Sequence, residues 1–383
     1  MSEKQILVIS FSNIAKDARV LRELSAIQPF GHVTSIGYGS KPEFVDEHLQ
    51  IDDQYPSLPQ TPLGVFKIAF HLHKAAELAA PGNKEAIRLL GDRTFDAVVA
   101  NDARALPLAF HVARGKPVWA DMHEWAPAER THVTSWRLLV APLMTHICKK
   151  YLPKCQAVST VGQEIVKLYD KNFGVQPTLV RNAAPFADLT PSQNPSDGPI
   201  RLVHSGGAVA GRNIENMIAA VKEAGERFTL DLYLVPGNDK GKYLAQLKEQ
   251  AKDCPRIKFN HPVEPAELPA TLNQYDVGIY WIPPYSINAE LALPNKIFDF
   301  IQARLAIAVG PTKEMANIVQ EFQVGVVSSG FSNKNIVETL RSLERDQIIR
   351  FKQNTNAAAQ TLCFENEAKN IGQILSLIHI SEP

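Results

Sequence analysis

Two α/β domains in tandem, each a parallel sheet with crossover helices, are what the sequence predicts, and three observations carry that prediction. Short apolar runs of strand length recur along the chain, as strands buried on both faces require. Between them apolar residues return at helical spacing. The alternation stops at a proline-rich stretch and then begins again. At 383 residues the chain has room for two domains, or three.

The elements follow in order. Ile6–Ser10 is a continuous apolar run and opens the first sheet. After a loop over 11–16, Val20, Leu21, Leu24 and Ile27 line one face of a helix. Gly31 and His32 stop it, and Val33–Gly37 is the second strand. Phe95–Ala100 and Pro117–Ala120 continue the series, separated by helix-like stretches. Ala184–Pro199 holds four prolines, two serines and two aspartates, the composition of a connection. The pattern then restarts with a strand at Arg201–Ser205 and a helix face of Ile214, Met217, Ile218 and Val221. Leu230–Val235, Ile257–Phe259, Val277–Tyr280 and Ala306–Val309 complete the second strand series. Residues 376–383 read as a break in the preceding helical pattern and as a translated cloning or adapter scar, a non-native tail.

Charge and composition exclude several classes. Lys plus Arg and Asp plus Glu both number 40, so neither a basic nucleic-acid coat nor an acidic tail is expected. No apolar run is long enough to span a bilayer. No basic segment precedes an apolar stretch at the start, so no signal peptide is expected. Cys148, Cys155, Cys254 and Cys363 are scattered without a CxxC pair, which suits reduced thiols in a cytoplasmic protein rather than a disulfide framework or a zinc site.

In open parallel sheets ligands bind beyond the carboxyl ends of the strands. The loop after the first strand lacks G-x-G-x-x-G, which argues against a nicotinamide dinucleotide. After Ser205 the chain reads Gly-Gly-Ala-Val-Ala-Gly-Arg-Asn213 and a helix opens. The glycines at 206, 207 and 211 allow close backbone approach, the helix start offers N–H groups, and Arg212 adds charge. This is a phosphate cradle, or else a glycine-rich turn with no ligand. Arg212 and Asn213 replace the Lys and hydroxyl of a P-loop, so an ATPase is not expected. In Leu293–Asp299, Ile297, Phe298 and Ile301 form a buried face and leave Lys296 and Asp299 three apart on the other side. The pair could hold a diphosphate and a ribose, or be a solvated ion pair. In Ala120-Asp-Met-His-Glu124, His123 stands at a strand end where it could meet a sugar or be satisfied within its own turn.

Taken together, these segments resemble the retaining glycosyltransferases of the GT-B fold, the large family four group, over about residues 5 to 375. The landmarks come in order: Asp17-Ala-Arg-Val20, Phe95 through Asp102, Asp121-Met-His-Glu124, Val180-Arg-Asn182, His204-Ser-Gly-Gly207 through Arg212, and Leu293-Pro-Asn-Lys296 through Asp299. Ala183 stands where the family usually has Gly. The resemblance implies two Rossmann-like domains with parallel sheets facing across a cleft: an acceptor-side domain over 1–185, a linker over 186–199, a nucleotide-sugar domain over 200–350, and a C-terminal helix over 351–375 crossing back to the first domain.

The implied activity is hexosyl transfer, with retention and without a metal, from a nucleotide diphosphate sugar to a saccharide or lipid-linked acceptor, as in polysaccharide biosynthesis. The donor is a co-substrate and no cofactor is expected. Arg212 and Lys296 would bind the diphosphate and stabilise its developing charge. Gly206 and Gly207 would admit the phosphate, Asn295 would line the donor site, and Asp299 would accept from the ribose. His123 would contact the transferred sugar, and the acceptor would lie near Asn13, Asp17, Arg19 and Glu124. The family's first acid is missing, since position 291 is Leu; Asn288 or Glu290 could substitute. An epimerase of the same architecture and a non-catalytic nucleotide-sugar binder are the competing readings. Leu138–Met144, followed by His146, Lys149, Lys150 and Lys154, and Gly64–Phe70 suggest peripheral contact with the inner membrane surface, or helices packed on the sheet.

Overall fold

The computed structural model describes residues 3–193, 198–378 and 380. Unit 1 comprises residues 1–181, 286–288 and 367–383; unit 2 comprises 182–285 and 289–366.

Unit 1 is built on a seven-stranded parallel sheet of β1 (Gln5–Asn13), β2 (His32–Tyr38), β3 (Glu47–Gln50), β4 (Ala97–Asn101), β5 (Val118–Met122), β6 (Ala157–Thr160) and β7 (Thr178–Leu179), in the order β3-β2-β1-β4-β5-β6-β7. Ile6, Val8, Val33, Val99 and Trp119 fill its core, and the Ala18–Ile27 helix adds Val20, Leu24 and Ile27. Unit 2 carries a six-stranded parallel sheet of β8 (Ile200–Ala208), β9 (Phe228–Pro236), β10 (Ile257–Asn260), β11 (Val277–Tyr280), β12 (Ala306–Val309) and β13 (Gly325–Val327), in the order β10-β9-β8-β11-β12-β13. In both sheets the first strand is central and the chain reverses direction of growth beside it, between β1 and β4 and between β8 and β11. Such reversals leave a crevice beyond the strand ends. The two parallel α/β sheets are those predicted from the apolar runs.

Several details differ from the sequence reading. Strands β3, β6, β7 and β13 had no apolar run to announce them; β3 is a partly exposed edge strand and β7 is two residues long. Residues 351–375 contain parts of two helices, Arg345–Ala359 and Phe364–Leu377, rather than one. The helical pattern does not break at 376. The second helix continues through Leu377, and Ile371, Ile374, Leu375 and Ile378, at offsets of 0, 3, 4 and 7, all enter the unit 1 core. Ile380 is buried there too, while 379 and 381–383 of the expected tail lie outside the described residues. Within the expected linker, 186–193 holds neither helix nor strand, and 194–197 lies outside the described residues.

Candidate functional site

In unit 2 the candidate residues gather at the β8/β11 reversal. Gly206 and Gly207 end β8, and Gly206 has φ +151°, a conformation that favours glycine. A Cβ built on Gly206 would lie 3.8 Å from Lys296 Cε, 3.9 Å from Arg212 Nη1 and 3.9 Å from His204 Nε2. One built on Gly207 would lie 3.3 Å from Arg212 Nη1. Two cations from different elements therefore converge on the space beside Gly206 and Gly207.

Arg212 donates to the Gly207 carbonyl at 3.4 Å and has no carboxylate partner among the described residues. Lys296, in the Asn295–Gln302 helix, pairs with Asp299 at 2.8 Å. The i, i+3 ion pair is thus real, and it stands beside the glycines rather than on an open face. Asn295 opens that helix and is exposed. Ile297, Phe298 and Ile301 are buried as expected, and so is Phe300, which the three-residue face left out.

Two neighbours escaped the sequence reading as site residues. His204 is buried and donates from Nδ1 to the Ile279 carbonyl at 2.9 Å, leaving Nε2 as an acceptor toward Gly206. Burial, with Lys296 and Arg212 nearby, depresses its pKa to about 4, so the ring is neutral. The Ser205 hydroxyl is buried without a hydrogen-bond partner among the described residues. The helix start is less open than expected: the Ile214 N–H donates to the Tyr243 hydroxyl at 3.2 Å. Leu291, where the resemblance expects an acid, is buried.

In unit 1 a charged cluster lies at the ends of β4 and β5. His123 Nε2 is 2.8 Å from Asn101 Oδ1 and 3.2 Å from Asp121 Oδ2, and Nδ1 is 3.4 Å from Asp102 Oδ2. The histidine is flanked by Asp121 and Asp102, rather than by Asp121 and Glu124, its carboxylate neighbours in sequence. The His123 N–H also donates to Asp102 at 3.0 Å. Asp102 reaches this position with φ +65°, a strained backbone for a residue with a side chain. Burial opposes a charge on His123, but Asp102 and Asp121 override it and raise its pKa to about 9. Burial likewise opposes ionisation of Asp121, yet Arg19 and His123 hold its carboxyl well below the ordinary range. The imidazole is therefore a fixed cation.

Arg19 donates Nε and Nη2 to Asp121 at 2.9 and 2.8 Å and Nη1 to the Val180 carbonyl at 2.7 Å. It is buried and braces Asp121 instead of facing a ligand. Asp17 caps the Ala18–Ile27 helix, accepting from the Arg19 and Val20 N–H groups. Asn13 is exposed at the end of β1, its side chain against Gly39. Glu124 accepts from Asn288 Nδ2 at 2.7 Å, and burial, with Asp102 and Glu129 nearby, raises its pKa to about 8. Asn288 uses the rest of its amide on the Trp125 backbone. Behind the histidine, Asn101 donates to Glu23 at 2.9 Å. Burial and the Asp121 charge lift Glu23 to about 8, so it is protonated. Among the described residues no cluster of His, Cys, Asp and Glu is arranged to hold a metal.

No protein-family model matches the chain, and no curated protein matches it. Solved structures share its fold. HepE of Anabaena in complex with UDP is 16% identical with a TM-score of 0.68, over 97% of this chain and 99% of that one. A glycosyltransferase from Rickettsia africae is 10% identical with a TM-score of 0.68, over the whole of both chains. Sucrose-phosphate synthase from Thermosynechococcus elongatus is 13% identical with a TM-score of 0.67, over 98% and 99%. The chain has the Rossmann-like, parallel-sheet fold of these GT-B proteins.

Proposed function

We propose that this protein is a glycosyltransferase that takes a sugar from a nucleoside diphosphate sugar held on unit 2. The observation that carries the reading is the convergence of Arg212 and Lys296 on Gly206. A diphosphate fits that chemistry, since it brings negative charge to two cations. As the sugar leaves, charge grows on the diphosphate, and fixed cations in a partly buried site stabilise it without a metal. Gly206 and Gly207 let the backbone approach the phosphate, Asn295 flanks it, and Asp299 keeps one oxygen for a ribose hydroxyl. Transfer with retention to a saccharide or lipid-linked acceptor is the finer form of the proposal. The solved relatives in complex with UDP and with UDP-glucose make uridine the first base to try.

On unit 1, His123 serves as a cationic hydrogen-bond donor to a sugar hydroxyl rather than as a base, because its proton is held by Asp102 and Asp121. Arg19 positions Asp121, and Asn13, Asp17 and Glu124 border the acceptor side.

Thermal-shift titration with UDP, GDP, ADP and CDP tests the reading. Ligand at about 100 times its dissociation constant stabilises the folded state by roughly 2.7 kcal/mol. One nucleotide raises the melting temperature of the wild type and not of the Arg212→Ala, Lys296→Ala double variant. No shift with any of the four at millimolar concentration overturns the assignment. The buried Leu291 favours one other reading, a nucleotide-sugar binder without turnover. It predicts the same shift with no acceptor-dependent release of UDP.

A further inference from the structure

Glu23, on the Ala18–Ile27 helix, is only 2% exposed. Its Oε1 accepts from Asn101 Nδ2 at 2.9 Å, while Oε2 has no hydrogen-bond partner among the described residues. A buried carboxyl used on one side only costs stability that an apolar side chain of the same size would not. What Glu23 supplies instead is the orientation of one amide.

Asn101 is buried at the end of β4, and the other end of its amide lies 2.8 Å from His123 Nε2. The two ends of an amide are nearly equal in size, so packing alone does not decide which of them meets the imidazole. Glu23 decides it. Nδ2 turns to the carboxyl, Oδ1 turns to the ring, and Nε2 must then carry a proton. Burial and the Asp121 charge keep Glu23 neutral up to about pH 8, with Oε1 as its carbonyl acceptor. Charge alone does not choose the nitrogen, because the ring meets a carboxylate at each: Asp121 Oδ2 at 3.2 Å from Nε2 and Asp102 Oδ2 at 3.4 Å from Nδ1. Asp121 is already engaged by Arg19 and by Ser159 Oγ. The two sides also differ in access, since the Asp121 side chain is fully buried and that of Asp102 is 30% exposed.

We infer that Glu23 is a positioning residue for His123: through the Asn101 amide it holds a proton on Nε2 and leaves Nδ1, on the open Asp102 side, as the nitrogen that gains and loses one. A ligand on that side meets the Nδ1–H of the cation. The charged and titratable groups that act on the ring are Arg19 and Glu23 from the helix, Asp102 after β4, and Asp121 and Glu124 from β5 and its end. The use of this proton toward a sugar rests on the transferase reading. The ring is titrated without donor or acceptor, so a failed nucleotide titration would remove that reading and leave the assignment of Glu23 standing.

Long-range proton–nitrogen NMR of the 15N-labelled whole protein, taken below and above the His123 midpoint near pH 9, is the test. His123→Gln, which lacks the signal, identifies it. Above the midpoint the neutral ring of the wild type is protonated at Nε2. Glu23→Gln keeps an acceptor for Asn101 and preserves that tautomer. Glu23→Met releases the amide, so both tautomers appear, and the midpoint lies about one pH unit below that of Glu23→Gln. Both variants are neutral at position 23, so the difference between them reads the hydrogen bond and not the charge. A wild-type ring protonated at Nδ1 overturns the inference, as does a Glu23→Met ring that matches Glu23→Gln in tautomer and midpoint. Where Glu23→Met fails to fold, Asn101→Leu takes its place: a ring that stays protonated at Nε2 without the amide overturns the inference, and mixed tautomers support it.

Discussion

His123 shows how much a single side chain owes to residues distant in sequence. Its neighbours Asp121 and Glu124 are visible in the tetrapeptide Asp121–Glu124, and the strand end was legible from the apolar run before it. Asp102, Asn101 and Glu23 were not, because β4, β5 and the helix after β1 bring them together only when the sheet forms. The signal available was position: Asn101 and Asp102 also end a strand. Asp102 has a measurable consequence. With its charge removed in Asp102→Asn, burial gains on the remaining Asp121 attraction, and the His123 titration midpoint falls from about 9 toward the ordinary 6.5. Imidazole proton resonances followed against pH measure this directly; an unchanged midpoint would show that Asp102 does not hold the proton. The folded pKa is raised, so the stability this proton contributes is complete below about pH 6.5 and is lost as pH rises through 9. In Asp102→Asn that loss moves to lower pH.

At the scale of the element, the Asn295–Gln302 helix sets Lys296 over the glycines through its buried face. Phe300 packs so closely on β11 that a Cβ on Gly278 would lie 2.5 Å from the phenyl ring. The apolar spacing of this helix was readable, and so was the alternation that placed β11 before it. The contact was not, since no pattern says which glycine in a strand makes room for which ring. Gly278→Ala forces the ring and its helix outward. Overpacking of this kind costs about 1–3 kcal/mol, which denaturant unfolding monitored in unit 2 registers as a lower midpoint. Because Lys296 and Phe300 share the helix, nucleotide affinity falls as well. A variant with unchanged stability and unchanged affinity would mean that the helix position is set elsewhere. Short edge strands such as β3 and β7 escaped the reading for a related reason: backbone pairing holds them, and their side chains carry no apolar signature.

At the scale of the molecule, the chain order is not the order of the units. Segments of unit 1 lie on both sides of unit 2 in the sequence, so its core is incomplete until the helix after residue 366 has returned. The tandem pattern of strands made two sheets legible, whereas nothing in the composition after residue 360 says which sheet the last helix joins. Its burial says so: Ile371, Ile374, Leu375 and Ile378 pack with Ile6, Val33 and Trp119. Each such side chain contributes roughly 1.5–3 kcal/mol when fully buried, so together they are comparable to the whole stability of a domain. Glu367 adds a buried carboxylate that accepts from the Arg181 backbone and side chain. Ending the chain after Asn366 therefore unfolds or severely destabilises unit 1 and leaves the core of unit 2 intact, because both clusters of that core lie within 182–366. Calorimetry of the truncated chain shows one transition where the full chain, which need not melt in a single step, carries the heat of both units. The surviving transition still rises with nucleotide, since Arg212, Lys296 and the glycines all belong to unit 2. Loss of the nucleotide response on truncation would instead make the diphosphate site dependent on unit 1, and the assignment of donor binding to unit 2 alone would fall.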